Sequence, residues 1–319
     1  MVKIGAPERQ PRLRQASRRE IGTALALTAI AGLGLWRPEA LVASSFAQTP
    51  ARIVAAGGAV TEIIYALGLQ DRLVGVDSTS QFPPEALQTK SNIGYVRALS
   101  AEGVLSLRPS LVIAIPGAGP TNALSLLNEA GVRLAIVPDD PSAEGVVTKI
   151  EAVGALVGAV EPARRLAERV KAGFASLEAQ RAALPQPRRV LFLLSLANGR
   201  VMIGGRGSSA AAMIALAGGV NAGEAVEGFK PMTDEAIIAA APDVILSMRT
   251  GAAGALTSEA LFAMPSFSQT PAAARKALVV MDGLYLLGFG PRAPAAARDL
   301  MAALYPERQI APLPDQAKP

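Results

Sequence analysis

The sequence predicts an α/β protein of two Rossmann-like lobes with parallel sheets, joined by a long helical connector. Three observations carry that prediction. Short apolar runs alternate with helical stretches between residues 52 and 137. Residues 143–184 then show no strand signal and are rich in Ala, Leu, Glu and Arg, with apolar spacing near 3.6. A new apolar run at 189–196 restarts the alternation. Such alternation implies mostly parallel sheets covered by helices. The expected boundaries are a leader at 1–47, an N-terminal lobe at 48–142, connecting helices at 143–185 and a C-terminal lobe at 186–319.

Within the first lobe, Arg52–Ala56 reads as a buried strand, followed by Gly57-Gly58 and a helix ending at Gly68. Leu73–Val76 is a second strand, and a Pro/Ser/Gln-rich loop, Ser78–Lys90, leads to Asn92–Arg97. Ser100 caps the next helix, with Glu102 in its first turn where the helix dipole favours an acid. Pro109 ends that helix; Leu111–Ile115 and Arg133–Val137 are strands around a helix at Thr121–Ala130. In the connector, Gly158 breaks one helix and Pro162 opens the next. Pro185-Gln186-Pro187 closes it, and Arg189–Leu196 opens the second lobe.

One stretch echoes another. Ser100 to Pro109 and the strand after it can be laid on Thr233 to Pro242 and the strand after that. Each has a hydroxyl cap, an acid two residues on, a short apolar helix and a proline nine residues after the cap. Gly94-Tyr95-Val96-Arg97 precedes one cap, and Gly228-Phe229-Lys230 the other. The match predicts an internal repeat that places a Gly-aromatic-basic loop on each lobe. Ligands of α/β proteins favour loops at strand ends and clefts between lobes, so these loops are candidate cleft walls.

Composition narrows the chemistry. The 319-residue chain has no Cys and no His. That excludes disulfides, thiolate nucleophiles, a lipidated cysteine, Ser-His-Asp triads and His–metal sites. A metal would have to be held by oxygen donors or Met sulfur. The net charge of +5 is concentrated at the start: residues 1–47 carry seven of the 31 basic and three of the 26 acidic residues. The remaining body, with 24 basic and 23 acidic residues and few aromatics, is a poor nucleic-acid binder.

Residues 1–47 read as a secretory signal peptide: an Arg-rich start, the apolar run Ile21–Trp36, and Ser45-Phe46-Ala47 as a cleavage site. Ser17-Arg18-Arg19-Glu20-Ile21 resembles the twin-arginine variant, with an ordinary secretory signal as the alternative. The expected product is a soluble, monomeric periplasmic protein beginning near Gln48.

Tyr95 is the most informative side chain. A phenolate is a hard anionic donor suited to ferric iron, and tyrosinate is an established haem ligand. Arg97, two residues on, could stabilise the phenolate or pair with a propionate. From these residues alone, an exposed loop tyrosine with no ligand is the favoured reading. Arg249, after the run Val244–Met248, and Lys230 could meet an anion or could be solvated surface charges. Glu62 at a helix start could serve the helix dipole or dock a partner's arginine, with Glu224 as a weaker counterpart. Gly204-Gly205-Arg206-Gly207-Ser208 lacks phosphate-loop spacing and reads as a turn before a helix.

Several runs together resemble periplasmic haem-binding proteins of ABC haem importers. They are Gly94-Tyr95-Val96-Arg97-Ala98-Leu99-Ser100 through Pro109, Gly58–Ile64, Leu216–Ala222, Gly228–Pro231, Pro242–Leu246 and Met281–Arg292. The Thr-Glu and Pro-Asp-Val-Ile elements are shared with vitamin B12 and siderophore binders. The resemblance implies two lobes on one long helix with little hinge motion, and no catalysis. It implies Tyr95 as axial ligand to ferric haem, Arg97 beside it, and Arg249 as a propionate or phenolate partner. Phe229 stands where the family usually has Tyr, so it could stack but not ligate. Glu62 and Glu224 would contact the permease of the importer, whose ATPase is an indirect partner. Rival readings are a siderophore or corrinoid carrier on the same fold and an exported hydrolase.

Overall fold

The computed structural model describes residues 51–197, 200–249 and 256–314; the leader lies outside them. The first lobe runs β1 (Ile53–Ala56), α1 (Gly58–Ala66), β2 (Leu73–Val76), α2 (Glu85–Thr89), β3 (Ser91–Asn92), β4 (Gly94–Tyr95), β5 (Ala98–Leu99), α3 (Ala101–Ser106), β6 (Leu111–Ala114), α4 (Thr121–Glu129) and β7 (Arg133–Ile136). Its five-stranded sheet, in the order β3-β2-β1-β6-β7, is parallel throughout. β1 and β6 lie in the middle and are buried along their whole length, so they read as continuous apolar runs.

α5 (Ala143–Leu156) and α6 (Val160–Arg181) form the connector. Ser142 caps α5 by accepting from Gly145 N, and Pro162 falls in the first turn of α6. The two helices cross closely at Gly154, where an added Cβ would lie 2.1 Å from Ala163 Cβ. Gly154→Ala is therefore expected to cost about 1–3 kcal/mol through overpacking. At an uncrowded helix position the same change would gain about 1 kcal/mol. The sign of the urea-midpoint shift decides between the two.

The second lobe contains β8 (Arg189–Ala197), β9 (Arg200–Gly204), α7 (Ser209–Leu216), β10 (Val220–Asn221), β11 (Phe229–Met232), α8 (Asp234–Ala240) and β12 (Val244–Arg249). It continues through α9 (Ser258–Phe262), α10 (Pro265–Ser268), α11 (Pro271–Arg275), β13 (Leu278–Asp282), α12 (Gly283–Leu287) and α13 (Ala293–Leu304). β10, β8, β12 and β13 are linked by parallel pairings, as expected. The flank is different: the β8–β9 hairpin turns the chain back, and β11 pairs antiparallel with β9 at the sheet edge. This lobe therefore has a mixed sheet, not a purely parallel one.

The internal repeat extends to the backbone. Ser100 accepts from Gly103 N and Thr233 from Ala236 N. Arg108 and Ala241 both take left-handed φ, 46° and 42°, just before Pro109 and Pro242. Proline disfavours a right-handed helical predecessor and so ends each helix, and the left-handed residue is a common helix terminus. In addition, Arg52 caps α3 by donating to Leu107 O, and Arg189 caps α8 by donating to Ala240 O. One apolar core, from Ile53 and Val60 through Val153 and Phe174 to Phe192 and Leu246, joins both lobes through the connector.

Candidate ligand-binding site

The carboxyl ends of β1, β2 and β6 carry the turns where ligands of parallel sheets gather. The β4–β5 hairpin, residues 94–99, lies among them. Burial recurs at every third residue: Ile93, Val96 and Leu99 are buried, while Tyr95 and Arg97 are exposed. Gly94 opens β4 at φ 92°, a conformation strained for other residues, and Val96-Arg97 form the turn. The hairpin is held from two sides. Ser78 N donates to Gly94 O at 2.8 Å, Leu99 N to Gly119 O at 2.7 Å and Gly119 N to Val96 O at 3.0 Å. Tyr95 is 50% exposed, so the residue is accessible to an incoming ligand.

Arg97 lies across Gly117, on the turn after β6; a Cβ on Gly117 would come 2.6 Å from its guanidinium. Tyr95 and Arg97 thus share one wall of the first lobe. On the second lobe, Arg249 is exposed at the carboxyl end of β12, in register with Asp282 of β13. Phe229 and Lys230 do not form the expected loop. They begin edge strand β11, where Pro231 is tolerated because an edge strand needs fewer ladder bonds. Phe229 is still 37% exposed and makes a T-shaped contact with Phe192 at 6.2 Å between ring centres. Lys230 and Glu224 are exposed.

Glu62 requires a correction. It is buried, at 4% exposure, and is not an exposed docking acid. The reason is the segment between α12 and α13, which covers α1. Arg292 N donates to Glu62 Oε1 at 3.1 Å and Arg292 Nη2 to Oε2 at 3.0 Å. Burial pushes the Glu62 carboxyl above its ordinary value of 4.5, against the opposing pull of Arg292. The Arg292 guanidinium also lies 3.5 Å from the centre of the Phe82 ring and 5.0 Å from that of Tyr285. Sequence reading missed Arg292 and Phe82 as partners, because nothing local links residues so far apart.

A family profile described as "Periplasmic binding protein" matches residues 53–284. The chain belongs to that family. It is therefore a binding protein and not an enzyme. Among solved structures, the chain is similar to the periplasmic heme-binding protein RhuT from Roseiflexus sp. RS-1 in apo form. Identity is 41% and the TM-score 0.77, over 81% of this chain and 99% of that one. The periplasmic heme-binding protein BhuT in complex with two hemes is 38% identical, with a TM-score of 0.76, over 80% and 97%. Among curated relatives, the uncharacterized ABC transporter substrate-binding lipoprotein YvrC of Bacillus subtilis (strain 168) is 26% identical over 82% of each chain. The vitamin B12-binding protein of Photorhabdus laumondii is 27% identical over 48% of this chain and 56% of its own. Among the described residues, no helix is long and apolar enough to cross a membrane.

Proposed function

We propose that this protein is a periplasmic haem carrier that delivers ferric haem to an inner-membrane ABC importer. The observation that carries the reading is Tyr95: a half-exposed phenol on a firmly held hairpin at the carboxyl edge of a parallel sheet. In a chain without His or Cys it is the strongest candidate protein ligand for ferric iron. The likeness to the heme-binding proteins RhuT and BhuT supports haem over a corrinoid or siderophore. On this reading Tyr95 supplies the axial oxygen, and Arg97 and Arg249 neutralise the phenolate and the propionates. Phe229 stacks on the porphyrin, and Lys230 adds a second positive charge. Apolar contact with the porphyrin contributes roughly 25 cal/mol per Å2 before the costs of association. With no His available, the iron is five-coordinate or completed by water. Glu224 is the exposed acid for the permease on the second lobe. Export uses residues 1–47, with cleavage near Ala47, which N-terminal sequencing of the exported protein checks.

Titration with hemin tests the assignment. Wild type is expected to show the phenolate-to-iron charge-transfer band of Tyr-ligated ferric haem, and Tyr95→Ala to lose it. Cobalamin should produce no saturable response. An unchanged spectrum in Tyr95→Ala, or saturable cobalamin binding without hemin binding, overturns the reading.

A further inference from the structure

Asp77 stands one residue beyond the end of β2 and is fully buried, yet neither the family match nor the sequence motifs assign it a role. Its two carboxylate oxygens accept four hydrogen bonds. Oδ1 takes Gly57 N at 2.8 Å and Ser80 Oγ at 3.1 Å; Oδ2 takes Thr79 N at 2.9 Å and Thr79 Oγ1 at 2.6 Å. Thr79 Oγ1 in turn accepts from Gly58 N at 3.0 Å, and Ser80 Oγ meets Thr61 Oγ1 at 2.7 Å. This network locks the turn at residues 77–80 against the start of α1. An added Cβ at Gly58 would lie 2.4 Å from Thr79 O, so the two segments are in backbone contact.

The locked turn is also one of the two sides that hold the tyrosine hairpin, the other being Gly119. Ser78, between Asp77 and Thr79, donates its N–H to Gly94 O, the residue before Tyr95. A buried carboxylate that satisfies four donors is a fixed point, and losing one partner leaves several buried groups unpaired. We propose that Asp77 is the positioning residue for Tyr95, acting through Ser78 and Gly94. It sets where the phenolate oxygen stands relative to the bound iron. The inference rests on the haem reading and adds a residue that never touches the ligand. Groups hydrogen-bonded directly to a metal ligand typically alter affinity 10–100-fold when mutated, and that range is the scale taken for Asp77.

The test is Asp77→Asn, whose amide keeps the shape but offers one acceptor oxygen where the carboxylate offers two. Hemin affinity is expected to fall about 10–100-fold, with the charge-transfer band shifted or lost. Asp243→Asn is the control. Asp243 accepts from Arg189 N at 3.0 Å at the amino end of β12, outside the candidate site. It should lower the melting temperature while band and affinity stay as in wild type. If Asp77→Asn does not fold, Thr79→Val removes part of the same network and should shift the band in the same direction. A wild-type band and affinity in Asp77→Asn, or in Thr79→Val where that stands in, overturns the inference, as does an equal band shift in Asp243→Asn. If wild type itself shows no phenolate band, the haem reading fails. Amide exchange of residues 94–99 in the apo protein then still decides: faster exchange in Asp77→Asn but not in Asp243→Asn supports the inference, and equal exchange overturns it.

Discussion

Glu62→Ala is expected to cost about 2–4 kcal/mol of stability, among the largest losses for a single side chain in this protein. Removing one member of a buried ion pair typically costs about 3–5 kcal/mol, because the other charge is left uncompensated. Here Arg292 keeps 28% side-chain exposure, and water recovers part of that loss. The damage extends beyond charge: Arg292 N loses its acceptor, and Arg292 Nε is already buried without a partner. Glu62→Gln should cost less, since Oε1 can still accept from Arg292 N. It should also change the pH dependence. In the folded protein Glu62 binds its proton more tightly than in the unfolded chain, because its carboxyl is raised above 4.5. Its contribution is therefore most favourable below that value and declines as pH rises through the raised one. Glu62→Gln should remove this decline, giving a flatter stability profile above pH 4.5. Urea unfolding at a series of pH values measures it; an unchanged slope would show that the carboxyl is not perturbed.

How far the sequence was legible follows from the range of each signal. Four strands of the first sheet, β1, β2, β6 and β7, were readable because each apolar run is bounded by Gly, Pro or a charged residue; β3, two exposed residues, was not. Ser100 and Thr233 were readable as caps, because capping spans only three residues. The connector was readable from Gly158 and Pro162. Other features depend on distant chain. β11 looks like a loop because Lys230-Pro231 carries no strand pattern, and only an edge position beside β9 makes it a strand. Glu62 looks like an exposed acid in a first helical turn, and only a segment 230 residues away buries it. Asp77 carries no sequence motif, and its four donors come from residues 57, 79 and 80. The Tyr95 loop was singled out by residue type and resemblance; that it is a β-hairpin anchored from two sides was not legible.

Lys149→Ala is expected to cost about 3–5 kcal/mol, comparable to emptying a large core side chain. Lys149 is fully buried on α5, pairs with Asp139 and donates to Phe289 O at 3.1 Å. Phe289 takes a left-handed φ of 47°, which surrounding contacts must hold in place. Alanine would leave a cavity, an unsatisfied Phe289 carbonyl and an unpaired Asp139, the last partly relieved by its 30% exposure. Lys149→Met fills the volume and should recover the cavity part while still leaving the carbonyl unpaired. Both anchors hold the same short segment, Lys149 at Phe289 and Glu62 at Arg292. That segment crosses from the second lobe onto α1 and α5 of the first lobe and the connector. Once either anchor is gone, the segment can move, and the other then has less to lose. Glu62→Ala combined with Lys149→Ala should therefore cost less than the sum of the two, by about 0.5–3 kcal/mol. A double-mutant cycle by urea unfolding gives that number. Strict additivity would mean that the two charges act on separate pieces of structure, and that the segment is not one strap across the lobes.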